Sequence, residues 1–302
     1  MTPISVLMCV YNDAVFTNAN LRGIVDSVDQ IVIVEGSWNG VRGTYDYGKN
    51  ERSADGTREI VEKFASEYPD KVLLIDSLED EECSRNLGLS HCKNDWILHL
   101  DSDEFYYPEH IQALKEGPLE EAAKEGFDRI SFQEFVFYFN FHYFMTGRRI
   151  RMFDQSKGVH YESGNGVGDI LEGGTKKLLH LGSVTVFHFQ WIGDRFKVVA
   201  TPNIKRERDF MIEMGEDPDK VTRLGGWKWW LEQVYLKFNG DNLEEIEKKN
   251  RGSIHPWSFN YEEHRNNPLN KIPTPGVFPQ HVRDAKWFDF AERGLVKLEP
   301  NT

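Results

Sequence analysis

Asp101-Ser102-Asp103-Glu104 places three carboxylates within four residues, directly after the apolar run Trp96-Ile97-Leu98-His99-Leu100. Carboxylates at i and i+2 project unevenly from a strand, but a turn at the strand end brings both to one ion. Two hard oxygen donors suit Mg2+ or Mn2+, with diphosphate oxygens completing the shell. An ion held in this way neutralises a departing diphosphate. An isolated D-x-D more often marks a solvated acidic loop, so its meaning rests on the elements that hold it.

Those elements alternate strand and helix over the first hundred residues. Ile4–Val10 is a continuous apolar run, as in a buried parallel strand. Leu21, Ile24, Val25 and Val28 follow at helical spacing. Gln30–Val34 predicts a second strand, Thr57 a cap for a helix carrying Ile60, Val61, Phe64 and Ala65, and Val72–Ile75 a third strand. Cys83–His91 has a helical pattern and Trp96–Leu100 reads as a fourth strand. The repetition predicts an α/β fold with a mostly parallel sheet, right-handed crossovers and flanking helices. Ligands in such sheets bind beyond the carboxyl ends of the strands. Three polar clusters fall at such ends: Tyr11-Asn12-Asp13, Glu35-Gly36-Ser37 and the Asp101–Glu104 stretch. The pattern then changes to an aromatic strand over Ile130–Tyr143, a Gly- and charge-rich stretch from Lys157 to Lys177, and a strand over Val184–Phe189. Residues 1–194 are expected to form one catalytic domain, and 195–302 a mainly helical extension that binds the acceptor.

The first 110 residues resemble family 2 glycosyltransferases of the GT-A fold. The matching stretches are Ser5 through Asn12, Ile31 through Ser37, Ser53-Ala54-Asp55-Gly56-Thr57, Arg85-Asn86-Leu87-Gly88-Leu89, and Trp96 through Glu104. The D-x-D-E form resembles the branch typified by lipopolysaccharide-core glucosyltransferases. The resemblance implies that Val10, Tyr11 and Glu35 hold the uridine end of a UDP-sugar, with Glu35 standing where the family usually has Asp. Residues 38–52 separate Ser37 from Ser53 and read as an inserted loop over the donor pocket, with Asp55 beyond it. Arg85, Asp101, Ser102 and the pair Lys205 and Arg206 are implied at the donor's diphosphate or sugar. Arg149-Ile150-Arg151-Met152-Phe153 and Val167-Gly168-Asp169-Ile170-Leu171 resemble the family's basic-Phe stretch and the segment that carries its catalytic carboxylate. An inverting transfer needs a general base for the acceptor hydroxyl, and Asp169, or else Glu162, is implied in that role. His188 is implied as a third metal ligand beside Asp101 and Asp103, with His180 as its competitor; a carboxylate–imidazole set leans towards Mn2+ over Mg2+. Trp227, Trp229 and Trp230 pack a core or stack on an acceptor sugar. Two other functions fit less well. A sugar nucleotidyltransferase expects a Gly-rich, Arg-bearing loop after the first strand, where this chain has Tyr11-Asn12-Asp13-Ala14. A non-catalytic saccharide- or nucleotide-sugar-binding protein does not need the metal motif.

The chain has 302 residues and a net charge of −13, and the acid excess sits in residues 1–194. An acidic body repels phosphate backbones and disfavours strong non-specific nucleic-acid binding. Acceptors compatible with these features are a saccharide, a lipid-linked glycan, a protein or a modified nucleobase. Cys9, Cys83 and Cys92 are odd in number and suggest reduced thiols in a cytoplasmic protein. No segment approaches the length of an apolar membrane span.

Overall fold

The computed structural model describes residues 1–37, 51–164, 167–192 and 279–284, with backbone alone for 138–145, 163–164, 167–170 and 190–192. Lys205, Arg206 and the tryptophans at 227, 229 and 230 lie outside the described residues.

Strands β1 (Ile4–Val10), β2 (Gln30–Glu35), β3 (Val72–Asp76) and β4 (Trp96–His99) pair in parallel in the order β3-β2-β1-β4. Every residue of β1, β2 and β4 is buried, which is why their sequences run apolar without alternation. Helices α1 (Ala14–Ile24), α2 (Thr57–Glu67) and α3 (Glu81–Ser90) make the crossovers. In α2 the capping residue is Gly56, in the left-handed region at φ 99°, and Thr57 is the first helical residue. The Asp55 carboxylate meets the Thr57 amide at 3.0 Å and so supplies the acceptor expected from Thr57.

Beyond β4 the sheet becomes mixed. A short β5 (Glu104–Tyr106) leads into α4 (Pro108–Lys115) and α5 (Pro118–Lys124), each with proline in its first turn. Strand β6 (Arg129–Asp154) doubles back on itself, since the Asp154 amide donates to the Asp128 carbonyl at 3.0 Å. The Gly- and charge-rich stretch holds a hairpin, β7 (His160–Gly164) against β8 (Val167–Glu172), and β9 (Leu178–Ile192) follows. The seven-stranded sheet runs β3-β2-β1-β4-β6-β9-β5, with β4–β6 and β5–β9 antiparallel. The fold is therefore α/β and Rossmann-like, with a parallel half and a mixed continuation in which β6 and β9 pair in parallel.

The main core lies between the sheet and α1, α2, α4 and α5, around Met8, Leu21, Ile33, Val61, Leu98 and Phe132. A second core gathers Phe16, Phe105, Phe137, Phe187 and Phe189 with Val282. Val282 belongs to α6 (Gln280–Arg283), so this piece of the expected extension packs directly on aromatic side chains of α1, β5, β6 and β9.

Candidate active site

The Asp101–Asp103 turn lies where the parallel half of the sheet ends and the chain crosses to β5. Its backbone is gripped from α1. Asn20, 2% exposed, donates its side-chain amide to the carbonyls of Asp101 at 3.1 Å, Ser102 at 2.9 Å and Glu104 at 2.7 Å. Ser102 Oγ donates to the carboxylate of Asp13, the N-cap residue of α1. Asp13 belongs to the polar cluster at the end of β1, whereas Asn20 does not stand out in the sequence. The usable signal is a polar residue on the buried stripe of an amphipathic helix.

Asp101 faces two arginines. Arg151 donates to its Oδ2 at 2.8 Å, and Arg85 lies 3.4 Å from its Oδ1. Burial alone would raise this carboxyl, but Arg151, His99 and Arg85 outweigh burial and hold it well below the usual carboxylate range. His99 sits between the same cations, its Nε2 2.5 Å from Arg85. Burial first, then Arg85 and Arg151, lower it to about 3. The same Nε2 also lies 3.1 Å from Asp101 Oδ1, so the ring bridges Arg85 and Asp101. Arg151 also donates to Glu104, whose side chain is fully buried and is pushed up to about 7, chiefly by burial.

Asp103 belongs to a different group. Its Oδ2 lies 3.4 Å from Nε2 of His188, on β9, because β5 and β9 pair with Glu104 opposite His188. The Nδ1 of His188 lies 2.8 Å from Glu134 Oε1, on β6. Burial would lower His188, yet Asp103 and Glu134 raise it to about 9. Glu134 falls to about 2, since His188 and Arg149 outweigh its burial. Of the three expected metal ligands the structure thus joins Asp103 and His188, and ties Asp101 to arginines. His180 lies apart, with Nδ1 3.2 Å from Ser131 Oγ. Among the described residues one group has ligand atoms all within 4.8 Å of one another: Glu104, Glu134 and His188. Arg151 on Glu104, and Arg149 at 3.3 Å from Glu134 and 3.5 Å from His188 Nδ1, already supply positive charge on that side. The Asp103–Nε2 side, with one carboxylate oxygen and one imidazole nitrogen, is the better fit to a divalent cation.

The expected nucleoside residues lie together at the ends of β1 and β2. Val10 pairs in register with Glu35, and Val10 and Tyr11 are buried. Glu35 is occupied within the protein. Its Oε1 accepts from the Ser53 amide at 2.8 Å, and its Oε2 accepts from Arg58 at 3.0 Å. Asp55 likewise takes the Ala14 amide at 3.0 Å and both donors of Thr57. Both side chains shape the rim formed by Asn12, Ser53 and Ala54.

The two expected bases share the β7–β8 hairpin. Glu162 is exposed and pairs in register with Ile170, the neighbour of Asp169. Asp169 is described by its backbone on β8. Asn86 fastens this hairpin to α3, giving its side-chain amide to the Tyr161 carbonyl at 2.9 Å and taking the Tyr161 amide at 3.0 Å. The helix that carries Arg85 therefore also carries the anchor of the hairpin.

Residues 50–167 match the sequence model of the family described as "Glycosyl transferase family 2". A comparison with curated proteins finds no match. Among solved structures the chain resembles TarS of S. aureus, at 10% identity and TM-score 0.42, covering 99% of this chain and 54% of that one. The chain thus spans about half the length of that TarS chain. It also resembles TarS 1–349 in complex with UDP-GlcNAc, at 9% identity and TM-score 0.39 over 99% and 90% of the two chains. A third similar structure is glucosyl-3-phosphoglycerate synthase from Mycobacterium tuberculosis with Mn2+, UDP and glucosyl-3-phosphoglycerate, at 16% identity and TM-score 0.31 over 44% of each chain. The family match gives residues 50–167 the sequence pattern of a glycosyltransferase domain. No helix among the described residues is long and apolar enough to cross a membrane.

Proposed function

We propose that the chain is a metal-dependent glycosyltransferase that moves a hexose, glucose-like in our reading, from a UDP-sugar to a hydroxyl acceptor with inversion. The observation that carries this reading is the approach of Asp103 to His188 Nε2 at 3.4 Å, on a turn at the carboxyl end of a parallel strand. Asp103 and His188 would hold Mn2+ or Mg2+. A bound divalent ion there supplies positive charge to the departing diphosphate. Asp101 contributes by holding Arg85 and Arg151 in place, and these fixed cations add to the field that favours a diphosphate. Ser102, Val10 and Tyr11 line the donor's path, while Glu35 and Asp55 support the nucleoside rim through the backbone they bind. Lys205 and Arg206 are assigned to the diphosphate by resemblance.

In the transfer, the acceptor oxygen forms a bond to the anomeric carbon as the bond from that carbon to the diphosphate oxygen breaks. UDP leaves with the electron pair, and the acceptor proton passes to a carboxylate, Asp169 or else Glu162. Residues 1–194 form the catalytic domain in this reading, and 195–302 contribute to acceptor recognition. The acceptor is a saccharide, a lipid-linked glycan, a protein or a modified nucleobase.

The test is a screen of UDP-sugars for hydrolysis with and without Mn2+, followed by anomer analysis of a transferred product. Hydrolysis of one donor that needs the ion, and that Asp103→Ala abolishes, is the expected result. Full activity of Asp103→Ala at saturating Mn2+ would end the assignment.

A further inference from the structure

His188 is held at both ring nitrogens, and the two contacts differ in kind. On one side Nε2 faces Asp103 Oδ2 at 3.4 Å. On the other, Nδ1 meets Glu134 Oε1 at 2.8 Å, a buried hydrogen bond between β9 and β6. Glu134 is only 6% exposed. Its carboxylate is itself steadied by Arg149, at 3.3 Å from the same oxygen. The neighbour carboxylate, Glu104, lies 3.6 Å from Nδ1 but is bound by Arg151. Glu134 is therefore the closer acceptor for the Nδ1 proton.

An imidazole can ligate a cation only through a nitrogen that carries no proton, and the hydrogen bond at the other nitrogen decides which one that is. We propose that Glu134 is a positioning residue. It keeps the His188 proton on Nδ1 and fixes the ring plane, so that Nε2 and Asp103 Oδ2 meet one divalent cation. The inference rests on the metal reading given above. It adds a residue that stands 31 positions beyond Asp103, the last residue of the D-S-D motif, and forms part of no motif of its own. Carboxylates that orient metal-binding histidines typically change metal affinity by about 10- to 100-fold when removed.

The experiment is a Mn2+ titration of the full chain, with UDP present, followed by electron paramagnetic resonance of the free ion. Nitrogen modulation in the bound spectrum reports imidazole coordination. Wild type is expected to bind Mn2+ with such modulation. Glu134→Ala is expected to bind roughly 10- to 100-fold more weakly, with the modulation lost or altered. Glu134→Gln keeps an oxygen that accepts the Nδ1 proton but supplies no charge, so it should fall between the two. If Glu134→Ala fails to fold, the isosteric Glu134→Gln carries the comparison. Equal Mn2+ affinity and equal modulation in wild type and the folded Glu134 variants would overturn the positioning role while leaving the metal site standing. Mn2+ binding that survives Asp103→Ala but is lost in Glu104→Gln would also overturn it, because Glu134 would then be a ligand on the Nδ1 side. A wild type that takes up no Mn2+, or keeps it unchanged in His188→Ala, would remove the metal centre itself, and with it this inference.

Discussion

Arg151 and Asp101, fifty residues apart, form an ion pair of 2.8 Å in which the guanidinium is 2% exposed and the carboxylate 25%. The same guanidinium nitrogen pairs with Glu104, whose side chain has no exposure at all. Removing one member of a buried ion group leaves the other charge without compensation, at a cost of about 3–5 kcal/mol. Arg151→Met should therefore lose about that much stability in urea unfolding, and Arg151→Met with Glu104→Leu should recover part of it. A single substitution that costs less than about 1 kcal/mol would mean that Arg151 does not neutralise this pocket.

Asn20 makes a sharper comparison possible. Its amide nitrogen faces three carbonyl oxygens of the Asp101–Glu104 turn. Asn20→Ala strands those acceptors and should cost about 1–3 kcal/mol. Asn20→Asp preserves shape but replaces the donor with a carboxylate oxygen aimed at three carbonyls, so it should be at least as damaging. If the turn positions the site, both variants also raise KM for the donor and weaken Mn2+ binding. An Asn20→Asp protein with wild-type stability and wild-type KM would contradict the clamp.

The parallel half of the sheet was legible because both faces of β1, β2 and β4 are covered, and full burial writes itself as unbroken apolar runs. The Asp101–Asp103 turn was legible for the same reason, since the run before it placed it at a strand end. The clamp from Asn20 was not, because a buried polar residue on a helix is recognisable only from what it faces. The split of Asp101 from Asp103 also escaped the sequence. It depends on Arg151, which comes from the far arm of a doubled-back β6, and on the register that sets Glu104 opposite His188. The resemblance implies a nucleoside contact for Glu35, whereas its carboxylate is taken by the Ser53 amide and Arg58, partners that its position in the sequence does not reveal. The β7–β8 hairpin was hidden because Gly and charge in residues 157–177 resemble loop composition, while Asn86 supplies from α3 the contacts that fix it.

The three thiols give a chemical check on the packing. Cys9 is buried in β1 and is raised to about 12, chiefly by burial. Cys92 is half-buried and is also raised to about 12 for that reason. Cys83 is exposed, and its thiol is raised mainly by the hydrogen bond with Asp80. Thiolate is the reactive form. At pH 7–8 a thiol reagent should thus label Cys83 alone in the folded protein, more slowly than free cysteine, with a rate that climbs as pH rises. Unfolding should release all three. Fast labelling of Cys9 in the native state would contradict the placement of β1 inside the sheet.

Gly23 tests how the 279–284 segment is seated. It lies on α1, three residues after Asn20, and a Cβ built there would overlap the ring of His281. The ring stacks near Phe105, with centroids 5.8 Å apart, while Val282 fills the aromatic core beside Phe16 and Phe187. In a bare helix Gly→Ala stabilises by about 1 kcal/mol. Here the added methyl should instead displace His281 and lift the segment, because it would overlap the ring as far as Cγ and not only its outer edge. Val282→Ala leaves His281 in place but removes two buried methyl groups, a loss of about 1–3 kcal/mol. Hydrogen exchange separates the two cases. Gly23→Ala should speed exchange at the amides of 282–284, which bond to Pro279 and Gln280 carbonyls, and should cut their protection further than Val282→Ala does. Since α1 also carries Asn20, Gly23→Ala should weaken Mn2+ binding more than Val282→Ala does. Unchanged exchange in Gly23→Ala would mean that α6 does not rest on α1 in solution.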